Sequence, residues 1–396
     1  MRNVVLMLLA VVCIGLSGCS AVTGGQPAQS AAPSPAPATP EQTAAQTPEP
    51  CYTIPVAGDP DLRYDLYRDC RPAEEVFAVE KFDLPPTLNG QPCMPVCFLS
   101  DGTLLVYLKA ETGDGTSWSR APVTMGSYAP DSGQYRDLVS APAGCSLLLQ
   151  TCNERYLVYR EIETPDDGQA ADTTRLCVYD LLAGTAQTVY TYPKEFLESS
   201  ASFQNSPALA GDQLYFDTLE TIDGLPTFRV YCADLQTLAL TPCREDAHTP
   251  LSDGENLWAL IPQGDSYALT ADGSQAIPLP GGTAEIAMGD AVFFKVNRDV
   301  LPGDQLATWE LRTAQQDQPL MITQQVFDDL HLQGAYLSWA TYVYSPVFLF
   351  DSRADCFLRF DSLPQGCQYL RFANGCGFLQ LLTKEGTQYY RLTEKA

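Results

Sequence analysis

Cys19 is the residue of this 396-residue chain whose position best indicates chemistry, because it follows the small residues Ser17 and Gly18 at the end of an apolar run. Arg2 supplies a positive charge before that run, and residues 4–14 are an uncharged stretch of eleven residues. A helix that spans a bilayer needs about 20 apolar residues, so the stretch is typical of a processing signal. A thiol at the first position of the processed chain is a nucleophile, and no packing role requires it there.

The segment Leu16-Ser17-Gly18-Cys19 resembles the lipobox of bacterial lipoprotein signal peptides and fits it at all four positions. The resemblance implies cleavage between Gly18 and Cys19 and a diacylglycerol group on the Cys19 thiol. We therefore expect a signal peptide over residues 1–18 and a protein anchored by its lipid to the extracytoplasmic face of the cell membrane. The alternative is an ordinary secretory signal with a coincidental cysteine, or an uncleaved anchor helix.

The two histidines of the chain, His248 and His331, limit its nucleophilic chemistry. A Ser-His-Asp arrangement would need one of them beside a serine, and no nucleophile-elbow motif marks such a serine. His331 lies in an apolar strand context, and we expect both histidines to be structural or surface residues. Glycoside hydrolysis by a carboxylate pair needs no histidine, but its residues are defined by their separation across a cleft. The sequence therefore assigns no catalytic residue.

The fourteen cysteines leave twelve for the exported protein once Cys13 is removed and Cys19 is lipidated. Export allows disulfides, and Cys232 and Cys243 lie on two predicted consecutive strands, which makes them a plausible cross-strand pair. Cys97 and Cys177 lie within apolar strands, where a thiol packs as a small apolar side chain, so reduced cysteines are the alternative.

Metal and redox motifs are absent from the sequence. Cys93 and Cys97 have neither CxxC spacing nor the second cysteine pair or nearby histidine that a zinc site needs. The acidic pairs Asp166-Asp167 and Asp328-Asp329 lack the alternating oxygen ligands and the glycine of a calcium loop. We expect no metal site and no cofactor.

Residues 19–50 differ in composition from the rest of the chain, since Pro, Ala, Thr, Gln, Ser and Gly dominate them. Such a segment cannot bury enough apolar surface to fold, and its prolines favour extended backbone. We interpret it as a disordered tether between the lipid and the folded part. Residues 51–74 are interpreted as a segment that precedes that folded part.

A repeat occupies residues 75–396. Seven times, a hydrophobic stretch meets a short polar turn and then a compact apolar strand, and about 45 residues separate successive turns. Gly, and to a lesser extent Asn, tolerates the positive φ of a tight antiparallel hairpin. The turn residues are Gly102, Asn153, Gly211, Gly254, Gly289, Gly334 and Gly375.

With this period, the chain resembles bacterial β-propeller lipoproteins. The resemblance concerns the architecture only. The resemblance implies an all-β fold with seven four-stranded blades, and six or eight remain possible. The last unit shows only three strands, so we expect a strand at Val76-Phe77-Ala78-Val79-Glu80 to complete it beside the strand Gln388-Tyr389-Tyr390-Arg391-Leu392. The alternatives are a pair of β-sandwiches and an irregular β-domain.

The formal net charge of −25 argues against nucleic acid and anionic lipid surfaces as partners. Membrane attachment must then come from the lipid alone, and we expect a monomer. The prediction for function is a binding or scaffold module for an unknown protein or glycan of the cell envelope, with 164–174 and 297–305 as candidate loops. One alternative is a glycan-active hydrolase with carboxylates in the central funnel of the propeller, and another is a sensory or assembly partner of a different envelope complex.

Overall fold

The computed structural model describes residues 52–54, 65–67, 70–109, 122–163, 173–193, 196, 207–252, 256–264, 266–271, 276–281, 283–298, 308–323, 326–342 and 344–395. All of them belong to one compact unit, Pro50–Gly115 with Arg120–Ala396. A second unit, Met1–Glu49 with Thr116–Ser119, lies outside the described residues. The described part is all-β apart from short pieces such as the 3-10 helix Ala73–Glu75. It contains no helix that is both long enough and apolar enough to cross a membrane.

The strands follow one another along the chain with short connections. In order they are β1 (Tyr52–Ile54), β2 (Asp65–Tyr67), β3 (Cys70–Pro72), β4 (Phe77–Phe82), β5 (Thr87–Leu88), β6 (Gln91–Phe98), β7 (Leu104–Lys109), β8 (Pro122–Ala129), β9 (Gln134–Ser140), β10 (Cys145–Cys152), β11 (Tyr156–Glu163), β12 (Thr174–Asp180), β13 (Thr185–Thr191), β14 (Ala208–Ala210), β15 (Gln213–Ile222), β16 (Leu225–Asp234), β17 (Leu240–Glu245), β18 (His248–Ser252), β19 (Leu257–Gln263), β20 (Ser266–Ala271), β21 (Ile277–Leu279), β22 (Thr283–Met288), β23 (Val292–Arg298), β24 (Thr308–Thr313), β25 (Met321–Thr323), β26 (Phe327–Gln333), β27 (Tyr336–Thr341), β28 (Val347–Asp351), β29 (Cys356–Phe360), β30 (Cys367–Ala373), β31 (Cys376–Thr383) and β32 (Gly386–Glu394).

Antiparallel pairing of consecutive strands arranges the described residues into six sheets. They are β5–β9, β10–β13, β14–β17, β18–β21, a six-stranded sheet of β22–β25 with β2 and β1, and a nine-stranded sheet of β26–β32 with β3 and β4. A series of small meander sheets is the architecture of a β-propeller. The predicted all-β class and propeller architecture are therefore confirmed.

The sheets do not match the predicted set of seven separate four-stranded sheets. Ala340 on β27 pairs with Tyr369 on β30, and this bridge joins the last two predicted units into the nine-stranded sheet. Three short strands of residues 51–74, which the sequence places before the folded part, pair with these sheets: β1 and β2 extend one, and β3 lies parallel to β29 in another. The architecture is established at the level of the propeller, and seven blades stay a prediction.

Each of seven strands directly precedes one of the predicted turns, and these strands contact one another. We call them the axial strands: β6, β10, β14, β18, β22, β26 and β30. Contacts join β10 to β14, β14 to β18, β18 to β22, β22 to β26, β26 to β30, and β30 to β6. Five axial strands, β6, β10, β18, β22 and β26, shift register against their neighbour at a bulge or irregularity. A bulge bends a strand and increases its twist, which suits strands that are crowded about a common axis.

Apolar residues are buried on both faces of the sheets. Leu104, Leu105 and Val106 follow one another on β7, and each has 0% of its surface exposed. Successive side chains of a strand point to opposite faces, so both faces of this sheet must be covered. Leu105 packs with β10 and β11 residues in one cluster, whereas Leu104 and Val106 belong to another with Phe378 of β31. The continuous apolar strands noted in the sequence thus reflect sheets packed face to face.

The strand expected at residues 76–80 is β4, and it pairs antiparallel with β32 along its whole length. Phe77 lies opposite Glu394 and Phe82 lies opposite Tyr389. Phe77 is buried, and its ring lies 4.8 Å from that of Tyr336 and 5.5 Å from that of Phe372. The pairing between the two ends of the folded part that the sequence predicts is therefore present.

Candidate functional site

The turns that the sequence analysis singled out line a polar cavity of about 440 Å³. Turn residues of four hairpins contribute to it, namely those after the axial strands β10, β14, β26 and β30. We call this cavity the mouth, and its lining residues are Asn153, Glu154, Arg155, Gly211, Asp212, Gln333, Asn374 and Gly375. Residues from four distant parts of the sequence thus form one concave surface.

Asn153 ties two of these turns together. Its Nδ2 donates to the backbone oxygen of Gly211 at 3.0 Å, and its Oδ1 accepts from the backbone N–H groups of Arg155 and Tyr156 at 2.9 and 2.8 Å. The sequence predicts a positive φ at this turn residue, but Asn153 is not among the described residues with one. Its side chain instead satisfies the backbone of the turn, as Asn does in Asx turns. Gly211 and Gly375 do have a positive φ, of 56° and 74°.

Charged side chains flank the same two turns. Arg155 donates to Asp180 Oδ2 at 3.0 Å and lies 3.4 Å from Asp212 Oδ1. Hydrogen bonds from Arg155 and from backbone N–H groups lower the pKa of Asp180, although burial acts in the opposite direction. Glu154 is exposed, and its backbone oxygen accepts from Ser100 Oγ at 3.2 Å. Glu154 therefore presents an unburied carboxylate at the mouth.

Amide side chains connect the opposite side of the mouth. In the orientation that satisfies both ends of its amide, Gln333 donates to the backbone oxygen of Phe372 at 3.1 Å and accepts from the N–H of Asn374 at 3.2 Å. Asn374 in turn donates from Nδ2 to the backbone oxygen of Phe98 at 3.1 Å. These bonds run from β26 to β30 and from β30 to β6, so the rim of the mouth is fixed by hydrogen bonds between neighbouring hairpins.

His331 lies two residues before Gln333 on β26. Its Nε2–H donates to the backbone oxygen of Phe372 at 2.8 Å. Burial, together with the positive charge of Arg371, lowers the pKa of His331 to about 4, so the imidazole is neutral at neutral pH. This agrees with the structural role expected from the sequence, since the proton of Nε2 is committed to a backbone acceptor.

Arg371 is a partly buried cation on the axial strand β30, and its sequence position gave no sign of this environment. Burial would lower its pKa, but the neighbouring Tyr369 and Asp329 raise it overall. Nε of Arg371 is buried without a hydrogen-bond partner among the described residues. Asp329 lies at the bulge of β26 with a φ of 57°, a conformation that Asp adopts more readily than most residues. The positive charge of Arg371 acts to lower the pKa values of His331 and Cys152.

Cys97 and Cys152 face each other between β6 and β10, with their sulfur atoms 3.8 Å apart. The sequence predicts that Cys97 packs as a small apolar side chain, and the residue is fully buried. Its partner could not be foreseen, because 55 residues separate the two. The one pair that the sequence predicted, Cys232 and Cys243, is not joined by a disulfide in the described structure. Cys232 instead donates from its sulfur to Gln213 Oε1 at 2.7 Å.

Two carboxylates and a lysine form a second charged cluster at the axial strands. Lys295 has 2% of its side chain exposed, and its Nζ contacts Glu285 at 3.2 Å and Asp328 at 2.5 Å. It also lies 4.2 Å from the centre of the Trp309 ring. The second oxygen of Glu285 accepts from the N–H of Leu330 at 2.9 Å. Asp328 of the acidic pair noted in the sequence thus neutralises a buried lysine.

His248, the second histidine, also contacts neighbouring side chains. Nδ1 of His248 lies 2.9 Å from Thr249 Oγ1, and its ring packs against those of Phe228 and Tyr267. Burial lowers the pKa of His248. Among the described residues, no group of three or more His, Cys, Asp or Glu side chains could hold a metal ion.

Several sequence predictions fall on residues that the structure does not describe. These are the cleavage and lipidation site at Gly18 and Cys19, the tether over 19–50, the acidic pair Asp166-Asp167, the turn residue Gly254, and most of the two candidate loops at 164–174 and 297–305.

No protein-family model matches the chain, and no curated protein matches it at a significant level. Several solved structures are similar. They include the β-propeller domain of the Trilobed protease from Pyrococcus furiosus, at 10% identity and a TM-score of 0.43 over 64% of this chain and 84% of that one. An oligogalacturonate lyase in complex with manganese is 12% identical, with a TM-score of 0.46 over 81% and 96%.

A prolyl endopeptidase is 12% identical with a TM-score of 0.47, over 75% of this chain but only 46% of that one. At such identities these similarities concern the fold and carry no information about activity.

Proposed function

We propose that the protein is a lipid-anchored, extracytoplasmic β-propeller that acts as a binding or scaffold module in the cell envelope, with the mouth as its ligand site. The observation that carries the proposal is the convergence of four hairpin turns on one polar cavity of about 440 Å³. Binding sites are commonly concave and lie on loops that a rigid scaffold positions.

The axial strands support the proposal of seven blades. Their contacts form a closed series, because β30 contacts β6 and Cys97 on β6 faces Cys152 on β10. Seven axial strands imply seven blades, with the nine-stranded sheet counted as two blades joined by the bridge between Ala340 and Tyr369. β4 is then the N-terminal strand that completes the last blade.

The mouth suits a polar ligand that approaches from solvent. Its amide side chains are already bonded to neighbouring turns, so the rim is organised before a ligand arrives. Preorganisation reduces the entropy cost of binding. Glu154 offers an exposed carboxylate there. A protein loop or a short glycan chain carries the hydrogen-bonding groups that such a surface recognises.

The alternative, a glycan-active hydrolase, gains less support from the axial carboxylates. A general acid and its partner must be available to the substrate on either side of the scissile bond. Glu285 and Asp328 both contact Lys295, and both oxygens of Glu285 accept hydrogen bonds from the protein. Both carboxylates are therefore already paired with Lys295 and accept hydrogen bonds from the protein, which leaves them less available to a substrate.

The lipid anchor is tested by expressing the full-length chain in a bacterium with a metabolically labelled fatty acid. We expect the label on the protein and its loss in Cys19→Ser. Cys13→Ser is the matched control, because it removes a thiol from the same segment and should keep the label. Equal labelling of both variants would contradict lipidation at Cys19, and no label on the unmodified chain would contradict the anchor.

The binding role is tested by crosslinking in intact envelopes, followed by purification of the full-length protein and a glycan array with the same material. A partner or glycan that is lost in Glu154→Ala but kept in Glu75→Ala would support the mouth as its site, since Glu75 is exposed but does not line the mouth. Equal binding by both variants would place the ligand elsewhere. Cleavage of an array glycan would favour the hydrolase.

A further inference from the structure

Cys97 and Cys152 are a pair of thiols that face each other between two neighbouring sheets. Their sulfur atoms are 3.8 Å apart, although 55 residues separate them in sequence. Cys97 lies near the end of β6 and Cys152 ends β10, so the pair bridges two axial strands. Nearby, the backbone N–H of Leu149 on β10 donates to the hydroxyl of Tyr107 on β7, which holds the two sheets in register.

The surroundings give the two thiols different pKa values. The thiol of Cys97 hydrogen-bonds to Cys152, and this bond lowers the pKa of Cys152 to about 7. Burial acts in the opposite direction, and the positive charge of Arg371 adds to the lowering. The same hydrogen bond and burial raise the pKa of Cys97 well above its usual value. Cys152 is therefore the more acidic of the two thiols.

Cys152 is adjacent in sequence to a residue of the mouth. Cys152 is only partly buried, and the next residue, Asn153, lines the cavity. Cys97 lies behind it with no exposed surface. An incoming molecule would therefore meet Cys152 first, and the buried thiol would be left to complete the reaction.

We propose that Cys97 and Cys152 form a reactive dithiol that exchanges with disulfides and closes into a disulfide bond between β6 and β10. This chemistry requires neither the lipid anchor nor a ligand at the mouth. The substrate class is a disulfide, of a small molecule or of a protein, that can enter the mouth.

The reaction proceeds in two displacements. The Cys152 thiolate attacks one sulfur of the incoming disulfide, so that a mixed disulfide forms and the other half leaves as a thiolate. Cys97 then loses its proton to that thiolate or to water, and its sulfur attacks Sγ of Cys152. The bond to the second half breaks, and that half leaves as a thiolate. Two protein thiols are oxidised while one disulfide is reduced to two thiols.

The geometry requires a modest approach of the two sulfur atoms. A disulfide has an S–S distance of about 2.0 Å, so the atoms must move closer from 3.8 Å. Cys97 and Cys152 already lie in or against one apolar cluster with Leu99 and Leu149, which keeps the side chains facing each other. Cys177 belongs to the same cluster, but its sulfur lies beside the hydroxyl of Thr188 at 3.8 Å, and burial raises its pKa to about 11.

The test treats the full-length reduced protein with oxidised glutathione at pH 7, blocks remaining thiols and maps tryptic peptides by mass spectrometry. Cleavage after Lys81, Lys109, Arg136 and Arg155 gives peptides 82–109 and 137–155, which carry Cys97 and Cys152. We expect these two peptides to become linked. Because they also contain Cys93 and Cys145, fragmentation must locate the bond. Glutathione adducts without this linkage would overturn the proposal.

Single variants identify the attacking thiol. Cys97→Ser should leave glutathione trapped on Cys152, whereas Cys152→Ser should leave Cys97 unmodified. Cys177→Ser is the matched control, since it alters a buried thiol of the same cluster and should keep the linkage. Trapping on Cys97 in Cys152→Ser, with none on Cys152 in Cys97→Ser, would overturn the assigned order.

A measurement on the unmodified protein covers the case in which a variant fails to fold. Iodoacetamide at pH 7 should alkylate Cys152 at least about tenfold faster than Cys177, because the larger thiolate fraction at the lower pKa outweighs the lower nucleophilicity of the more acidic thiol. Equal rates would overturn the proposal.

Discussion

Asn153 donates a hydrogen bond of 3.0 Å to the backbone oxygen of Gly211, and in this way one side chain joins the turn after β10 to the turn after β14. Such bonds recur around the mouth, since Asn374 reaches the backbone oxygen of Phe98 in the same manner. The sheets are thus connected at the mouth by polar contacts as well as by the apolar clusters between them.

Asn153→Ala should destabilise the protein by about 1–2 kcal/mol, because it leaves three backbone groups of two turns without their partner. Asn153→Asp should destabilise the protein less than Asn153→Ala, since it keeps the acceptor for the N–H groups of Arg155 and Tyr156 and removes only the donor to Gly211. Urea unfolding followed by tryptophan fluorescence measures both. Gln150→Ala serves as control, and an effect of Asn153→Ala no larger than that of the control would contradict the bridging role.

Lys295→Met should destabilise the protein by about 2–3 kcal/mol, because it leaves Glu285 and Asp328 without the cation that both contact. The expected loss is at the lower end for a broken buried pair, since both carboxylates remain about 30% exposed. Combining Lys295→Met with Glu285→Gln should recover part of it. Urea unfolding of the single and double variants measures the coupling, and a single variant within about 0.5 kcal/mol of the unmodified protein would refute it.

Stability should depend on pH with opposite sign at two glutamates. Burial raises the pKa of Glu285 above its usual 4.5, so its contribution to stability is complete below about pH 4.5 and is lost as pH rises through the folded-state pKa. Hydrogen bonds from Tyr336 and Arg353 lower the pKa of Glu394, so its contribution is present above about pH 4.5 and is lost as pH falls through the folded-state pKa.

Glu285→Gln should therefore become more stable relative to the unmodified protein between pH 4 and pH 7, whereas Glu394→Gln should become less stable relative to it as pH rises from 3 to 5. Urea unfolding at several pH values measures the two slopes. Slopes of the same sign would show that one of the two environments is wrongly described.

Phe77→Ala should cost about 3–5 kcal/mol, because Phe77 is the buried aromatic of β4 and packs against Tyr336 and Phe372. Lys81→Ala on the same strand should change stability by less than about 0.5 kcal/mol, since its Nζ makes only an exposed hydrogen bond to Gln388. Thermal unfolding compares the two. Similar effects would indicate that β4 does not pack as the structure shows.

The repeat in the sequence predicted the strands after the turns and the turns themselves, because hairpins depend on local residue types. The consecutive apolar residues Leu104–Val106 also predicted sheets that are covered on both faces, because a strand buried on both faces is apolar at successive positions. The sequence likewise indicated the partner of β32, because a unit with three strands left one strand to be found.

The interior of the site could not be predicted in the same way. Arg371 follows an ordinary strand pattern, and nothing local signals that its guanidinium lies near Asp329 and the two thiols. Cys97 and Cys152 come together only through the packing of separate sheets. The bridge between Ala340 and Tyr369, which merges two sheets, depends on the distance between neighbouring axial strands rather than on any residue type.

The pairing of β4 with β32 has a consequence for the order of events during synthesis. Lys81 and Gln388, which contact each other across these strands, are 307 residues apart, so β4 leaves the ribosome long before its partner exists. Until then it presents an unpaired edge, the kind of surface that recruits strands from other chains. The charged pair Glu80-Lys81 lies on that strand, where charges discourage such contacts. These charges therefore oppose strand pairing with other chains during the interval in which the last sheet is incomplete.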